Sequence, residues 1–193
     1  DGLKAWPSYE NGLSWPEREH DLMRKLDAGP EVIVLVDAEL DRAPAAARQK
    51  VLDLVRRGTG LVVTSRAAKP GPFFEQADPT GRGRITNGVP WSGLPELFAG
   101  EGLSSSELPE RAVETYRCGK GRVAAIRFRS KPVPLQNIMT EDGLAPSGFG
   151  IPYTREWDGR YGRYLSLVGK AVLWASGREQ SWRLLMPADG FRT

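Results

Sequence analysis

Few residues in this chain are of the types that catalyse reactions or bind metals. There is one cysteine, Cys118, and one histidine, His20. A lone cysteine excludes an internal disulfide framework, and with a single histidine it leaves no Cys/His zinc site and no multi-His iron site. Ser65 follows an apolar run, where a nucleophile could sit, but it lacks the flanking glycines of a nucleophile elbow, and His20 is the only imidazole base for it. A loop or capping role is the simpler reading of Ser65. His20, beside Glu17, Arg18 and Glu19, reads as a solvated helix residue. Asp37-Ala38-Glu39-Leu40-Asp41 groups three carboxylates, a donor set that suits Mg²⁺ or Ca²⁺ if distant acids such as Glu75 and Asp78 complete it. Turn and capping chemistry ahead of Ala45 is the simpler account. Gly81-Arg82-Gly83-Arg84 and Gly119-Lys120-Gly121-Arg122 have the composition of phosphate loops, but the first follows no strand and the second lacks the required spacing. Both read as turns. No metal site and no cofactor are expected.

The elements that must position these residues are read from apolar periodicity. Pro16-Glu17-Arg18-Glu19 opens a helix that runs to about Leu26 and buries Leu22, Met23 and Leu26, with Gly29-Pro30 ending it. Glu31 to Asp37 contains a continuous β-branched run, the mark of a strand covered on both faces. Ala47, Val51, Leu54 and Val55 form the apolar stripe of a helix over 44–57, and Gly60 to Ser65 is a second strand. Strand, helix, strand makes one right-handed βαβ unit. Residues 66–112 are poor in regular structure, with a short helix near 94–99. Ala112 to Arg117 and Arg122 to Arg129 form an antiparallel hairpin around Cys118-Gly119-Lys120-Gly121. Residues 130–160 form a long loop. A last helix spans Tyr161 to Gly177, with Tyr161, Tyr164, Leu165, Val168, Ala171, Val172 and Ala175 on one face. Ser181 to Met186 is a terminal strand or the start of a neighbouring module. The fold class expected is α/β, a partly parallel sheet flanked by helices.

Composition bounds the partners. The chain has 193 residues, 27 Lys and Arg against 24 Asp and Glu, and a net charge of +3 without a basic stripe, so nucleic acid is not an expected partner. No apolar run reaches the roughly 18 residues of a membrane span. Gly and Pro, 22 and 15 residues, are abundant, yet six Trp and several apolar runs remain, which argues for many loops rather than disorder. The chain begins at Asp1 in a polar, aromatic stretch, and 1–29 reads as an N-terminal extension of a single domain, 1–193, excised from a longer protein. Its compartment is left open. Trp6, Tyr9, Trp15, Trp91, Phe149, Tyr153, Trp157, Tyr161 and Tyr164 lie in or beside Gly/Pro-rich stretches. Such rings cover a sheet edge, stack on sugars or anchor a neighbouring domain.

Val32-Ile33-Val34-Leu35-Val36-Asp37, the helix ending Val55-Arg56-Arg57-Gly58-Thr59-Gly60, and Leu61-Val62-Val63-Thr64-Ser65 together resemble the middle of class I glutamine amidotransferase-like domains. Trp91-Ser92-Gly93-Leu94-Pro95, Gly119-Lys120-Gly121-Arg122-Val123 and Tyr164 through Ala171-Val172-Leu173-Trp174-Ala175-Ser176-Gly177 extend the resemblance over roughly 30–177. It is nearest to non-catalytic members embedded in larger proteins, such as the trimerisation-type domain of beta-galactosidases. The resemblance implies a flavodoxin-like, mostly parallel sheet. Two departures stand out: residues 1–28 offer no strand, so the first strand–helix unit of such a domain is either upstream in the parent protein or lost, and no Gly-x-Cys-x-Gly elbow or following His exists, so glutaminase activity is not expected.

The function expected is therefore a catalytically degenerate domain serving assembly or ligand binding in a larger protein. Its partners would be neighbouring domains, a carbohydrate or small anionic ligand, or further copies of the chain. The alternative is a hydrolase of a carbohydrate or ester, with carboxylates from Asp37, Glu39 or the 141–158 segment. Any ligand is expected where Asp37, Ser65 and Arg66 converge, with Trp91 and the 130–160 loop as a roof. Arg66 would supply a fixed positive charge there, or else pair with Asp37 or Glu75.

Overall fold

The computed structural model describes residues 15–36, 40, 43–65, 71–92, 94–95, 97–98, 103–128 and 160–179. Helix α1 (Trp15–Asp27) carries Glu17 in its first turn and Arg24 and Lys25 in its last, each charge matched to the helix dipole. Leu22 and Leu26 are buried, Met23 packs beside them, and His20 is exposed. Strand β1 (Val32–Val36) leads to helix α2 (Ala45–Arg57), whose buried stripe is Ala47, Val51, Leu54 and Val55, as the spacing predicts. Pro44 occupies its N-cap with no side-chain cap, and the acids expected to cap this helix, Asp37, Glu39 and Asp41, lie outside the described residues. Gly58 closes it at φ 130°, accepting no side-chain strain there because it has no Cβ. Strand β2 (Gly60–Ser65) follows directly.

Residues 66–112 hold more structure than their Gly/Pro content suggests. A single 3₁₀ turn at Gly71–Phe73 precedes the short strand β3 (Gln76–Ala77) and helix α3 (Pro79–Thr86). The Gly81–Arg84 stretch expected to be a turn is thus helical. Asp78 starts it: its carboxylate accepts the Gly81 N–H at 3.1 Å, and Pro79 suits the first turn. Glu107 accepts both the Ser104 N–H and the Ser104 hydroxyl just ahead of helix α4 (Leu108–Ala112). The short helix expected near 94–99 falls partly outside the described residues; Leu94, Leu97 and Phe98 there form successive turns and are buried.

Strand β4 (Val113–Cys118) and strand β5 (Gly121–Arg127) make the expected hairpin, and helix α5 (Arg160–Ala175) is the last element. Gly119 turns the hairpin at φ 57°, and Lys120 N–H donates to the Arg56 carbonyl at 2.9 Å, which fastens the turn to the end of α2. The sheet order is β1-β2-β5-β4-β3. Strands β1, β2 and β5 are parallel, while β5–β4 and β4–β3 are antiparallel. The sheet is accordingly mixed rather than mostly parallel.

Side chains alternate between two cores. Ile33, Leu35, Leu61, Val63, Val123 and Ala125 pack with α1 and α2. Val62, Ala124, Ile126 and Val113 pack with α5 and with the 85–112 stretch. Along α5, Tyr164, Leu167, Ala171, Trp174 and Ala175 are buried, but Leu165 is 45% exposed. The face expected from sequence is therefore rotated toward Leu167 and Trp174.

Two substitutions in α3 test this packing in opposite directions. A Cβ on Gly81 would lie 2.2 Å from Cζ2 of Trp174, itself buried, whereas around Gly83 there is open space. Gly83→Ala is expected to stabilise by roughly 0.5–1 kcal/mol through helix propensity. Gly81→Ala should instead cost about 1–3 kcal/mol from overpacking; denaturant midpoints of the two variants decide it. In α2, Val51 is 1% exposed. Val51→Asp places an unpaired charge in the core and should lower the melting temperature by about 10 °C or more. A melt within a few degrees of the parent would refute the helix's inward face.

Candidate functional site

Because β1, β2 and β5 are parallel, their C-terminal ends, Val36, Ser65 and Arg127, lie on one edge of the sheet. Ser65 is the last residue of β2 and stands opposite Arg127 in the register. Asp37 and Arg66 come next in the chain, and they, Glu39, Asp41 and residues 130–159 lie outside the described residues. Trp91 is half-buried against the α5-side core, and its carbonyl accepts the Leu94 N–H at 3.0 Å.

Three residues that sequence reasoning did not single out meet at this edge. Glu114 Oε2 accepts from Arg127 Nη2 at 2.8 Å and from the Tyr116 hydroxyl at 2.5 Å. Phe74 sets its ring edge-on to Tyr116 at 4.6 Å between centroids and is itself exposed. Burial, and then the bond to Glu114, pushes the Tyr116 hydroxyl up to about 12, so it donates throughout the neutral range. The Arg127 side chain, 40% exposed, places a guanidinium beside the end of β2. Its planar fork suits a carboxylate or phosphate. A signal for this cluster existed. Once the hairpin turn is placed at Gly119-Lys120, residue 114 opposes 125, and Arg127 becomes its diagonal neighbour on the same face.

The other end of the sheet holds Cys118. Its thiol is fully buried where β4 meets the hairpin turn. Glu75 sits against it, accepting the Gly119 N–H at 2.7 Å and Arg56 Nε at 3.2 Å. The Gly119 bond, then Arg56 and Cys118, hold the Glu75 carboxyl below its ordinary value. Burial first, and Glu75 second, raise the thiol from 9.0 to about 11. A nucleophilic cysteine needs the opposite shift. It also lies at the far end of β5 from Arg127, about 20 Å away at roughly 3.3 Å per residue.

Glu75 and Asp78, the acids that would have to complete a site with Asp37, each have partners of their own. Asp78 caps α3 and accepts from Arg117 at 3.0 Å, beside β3 on the opposite margin of the sheet from β1. Four strand spacings of roughly 4.8 Å put that margin about 19 Å from β1. Among the described residues no group of three or more His, Cys, Asp or Glu side chains could hold a metal ion. No described helix is long and apolar enough to cross a membrane.

No protein-family model, curated protein or solved structure matches the chain.

The raised thiol has a measurable consequence. The unfolded chain releases the Cys118 proton near 9.0, while the folded chain holds it to about 11. The stabilisation is complete below pH 9 and fades as pH rises toward 11. The Cys118 contribution to the melting temperature should therefore be constant up to about pH 9 and be lost above it, so Cys118→Ala should make the alkaline fall shallower than in the parent. A disulfide reagent at pH 8 should label Cys118 only after denaturation; rapid labelling of the native chain would contradict its burial.

Proposed function

We propose that this chain is a non-catalytic domain of the class I glutamine amidotransferase-like kind, and that it serves assembly within a larger protein. The observation that carries the assembly role is the outer face of α5. Leu165 and Leu173, 45% and 49% exposed, stand eight residues apart on one side of the helix. Gly169 lies midway, with nothing within 4 Å of the position a Cβ would take. A mid-helix glycine costs about 1 kcal/mol relative to alanine, and among the described residues no contact calls for it. Two leucines around a gap form the ridge and groove into which another helix packs. The neighbouring cations do not obstruct this face, because Arg163 donates to the Ser92 carbonyl and Lys170 to the Asn87 carbonyl.

Support for the non-catalytic part is the protonated, buried Cys118 at the end of the sheet remote from the parallel strand termini. The helices on both faces of the β1–β2–β5 core fit the family resemblance. Within this reading, Asp37, Ser65, Arg66 and Trp91 stay the proposed contacts of a small anionic ligand or sugar, with Arg127, opposite Ser65 in the register, added to them.

The test is sedimentation velocity and limited proteolysis of the parent protein carrying Leu165→Glu and Leu173→Glu. The expected result is a smaller sedimenting species or faster cleavage at the domain boundary. The melting temperature of the isolated chain should stay within about 2 °C, since both positions are on the surface. An unchanged sedimentation coefficient and unchanged cleavage would remove the assembly role.

A further inference from the structure

Helix α3 ends on Asn87-Gly88. Asparagine is a chemically labile residue, and its side-chain amide is attacked by the nitrogen of the peptide group that follows it. Glycine leaves that nitrogen unshielded, because no Cβ stands beside it. The fold itself calls for the glycine, since Gly88 has φ 68°. Asn87 and Gly88 are both exposed, so water reaches the reacting atoms.

Lys170 adds something that the dipeptide alone does not have. Its ammonium reaches from α5, 83 residues along the chain, and donates to the Asn87 carbonyl. It also lies 3.9 Å from the place a Cβ on Gly88 would take. The Asn87 carbonyl and the Gly88 N–H belong to one peptide group. When that nitrogen gives up its proton, resonance shares the charge with the carbonyl oxygen. A cation bonded to the oxygen stabilises the anion more than the neutral amide, as donors at a developing oxyanion do. The contact therefore raises the reactivity of the attacking atom.

In the resting fold the pair is held apart. Asn87 has ψ 129°, which turns the Gly88 nitrogen away from the side-chain amide. Attack requires rotation about the Cα–C bond of Asn87. The Asn87 N–H bond to the Gly83 carbonyl, 3.0 Å, lies before that bond and survives, while the Val89 N–H bond to the Thr86 carbonyl, 3.2 Å, breaks. Exposed backbone bonds at helix ends open readily. The flexible stem of Lys170 lets its ammonium follow the carbonyl.

The reaction balances with no change of oxidation state. A bond forms from the Gly88 nitrogen to Cγ of Asn87, the Cγ–Nδ2 bond breaks, and ammonia leaves with the proton that Gly88 lost. Water then opens the cyclic imide. Opening at Cγ leaves aspartate; opening at the main-chain carbonyl leaves isoaspartate, with Cβ inserted into the backbone. Either product sets a new carboxylate beside Lys170. The second also lengthens the chain just before Val89, which is buried in the α5-side core.

We infer that Asn87-Gly88 is a self-modification site of the folded protein, deamidating to aspartyl and isoaspartyl forms with Lys170 as the promoting residue and water as co-reactant. This is independent of the α5 outer face and of any ligand at the strand termini. The test is peptide mass spectrometry of the full chain after incubation in mildly alkaline buffer, reading the exchange of NH₂ for OH at Asn87. Methyl transfer by an isoaspartate-specific methyltransferase is the second readout. Asn11-Gly12, the same dipeptide elsewhere in the chain, is the internal standard. Lys170→Met should slow conversion at Asn87 about tenfold, the effect of one hydrogen bond to a charged group, and leave Asn11 unchanged. Lys170→Arg, which keeps the charge, should restore the rate. In denaturant the parent and both variants should convert alike. If Lys170→Met does not fold, Lys170→Gln takes its place. An Asn87 that stays an amide in the native chain but converts in denaturant would overturn the inference. So would a Lys170→Met rate equal to the parent's, or a Lys170→Arg rate as slow as that of Lys170→Met.

Discussion

Strand β2 has water on neither face. Leu61 and Val62 are fully buried, Val63 nearly so, and parallel neighbours flank the strand on both sides. Removing such side chains from water contributes roughly 1.5–3 kcal/mol each. That gain requires a helical layer above and another below. Leu61 and Val63 need α1 and α2, and Val62 needs α5, so both layers are set by the alternation of one six-residue segment. The strand also tolerates a cost: the Thr64 hydroxyl is buried without a hydrogen-bond partner among the described residues. An unsatisfied hydroxyl is destabilising by about 1–3 kcal/mol, which the apolar burial along the same strand offsets.

The layers then close on the sheet through missing side chains. Gly60 admits the Ala175 backbone, Gly81 admits the Trp174 ring, and Gly121 lets the Val55 carbonyl come within 2.2 Å of where its Cβ would be. These contacts join elements distant in sequence: the end of α5 to the start of β2 and to α3, and the end of α2 to the start of β5. They explain a glycine content that, read along the chain alone, signals loops. Ion pairs at the same end, Arg178 with Glu31 and Glu179 with Arg84, add little individually because they are solvent-exposed. Their effect is to fix direction rather than to supply stability.

The βαβ unit and the hairpin were legible because their signals are local: β-branched runs, a four-residue apolar stripe, a glycine turn. Helix α3 was missed although Asp78-Pro79 is a start signal, because the two glycines after it read as a turn. Only Gly81 has a packing reason to be there, the ring of Trp174 nearly a hundred residues away, and Gly83 has none. The outward turn of Leu165 was missed for a similar reason. Tyr164, Leu165, Val168 and Val172 make an apolar face as wide as the one around Leu167 and Trp174, and only the sheet beneath selects between them. At the strand termini, the parallel β1–β2 pairing places Val36 beside the end of β2, as expected. The Glu114–Tyr116–Arg127 cluster arises from hairpin register, which pairs residues that no motif joins.

All three parallel strands end on the same edge, and the chain between them is of unequal length. From β1 to α2 the connection is short; from β5 to α5 it spans residues 128–159. Loop-closure entropy grows only with the logarithm of length, so a fourfold longer connection costs about 1.2 kcal/mol more. The opposite edge has no such freedom, because the hairpin turn, the end of α2 and the exit of α5 are interlocked there at backbone contact distance. Inherited insertions and deletions would therefore accumulate at one rim. Relatives of this chain should differ most in what they carry on the strand termini, while the glycine-seated rim sets the alignment by which they can be recognised.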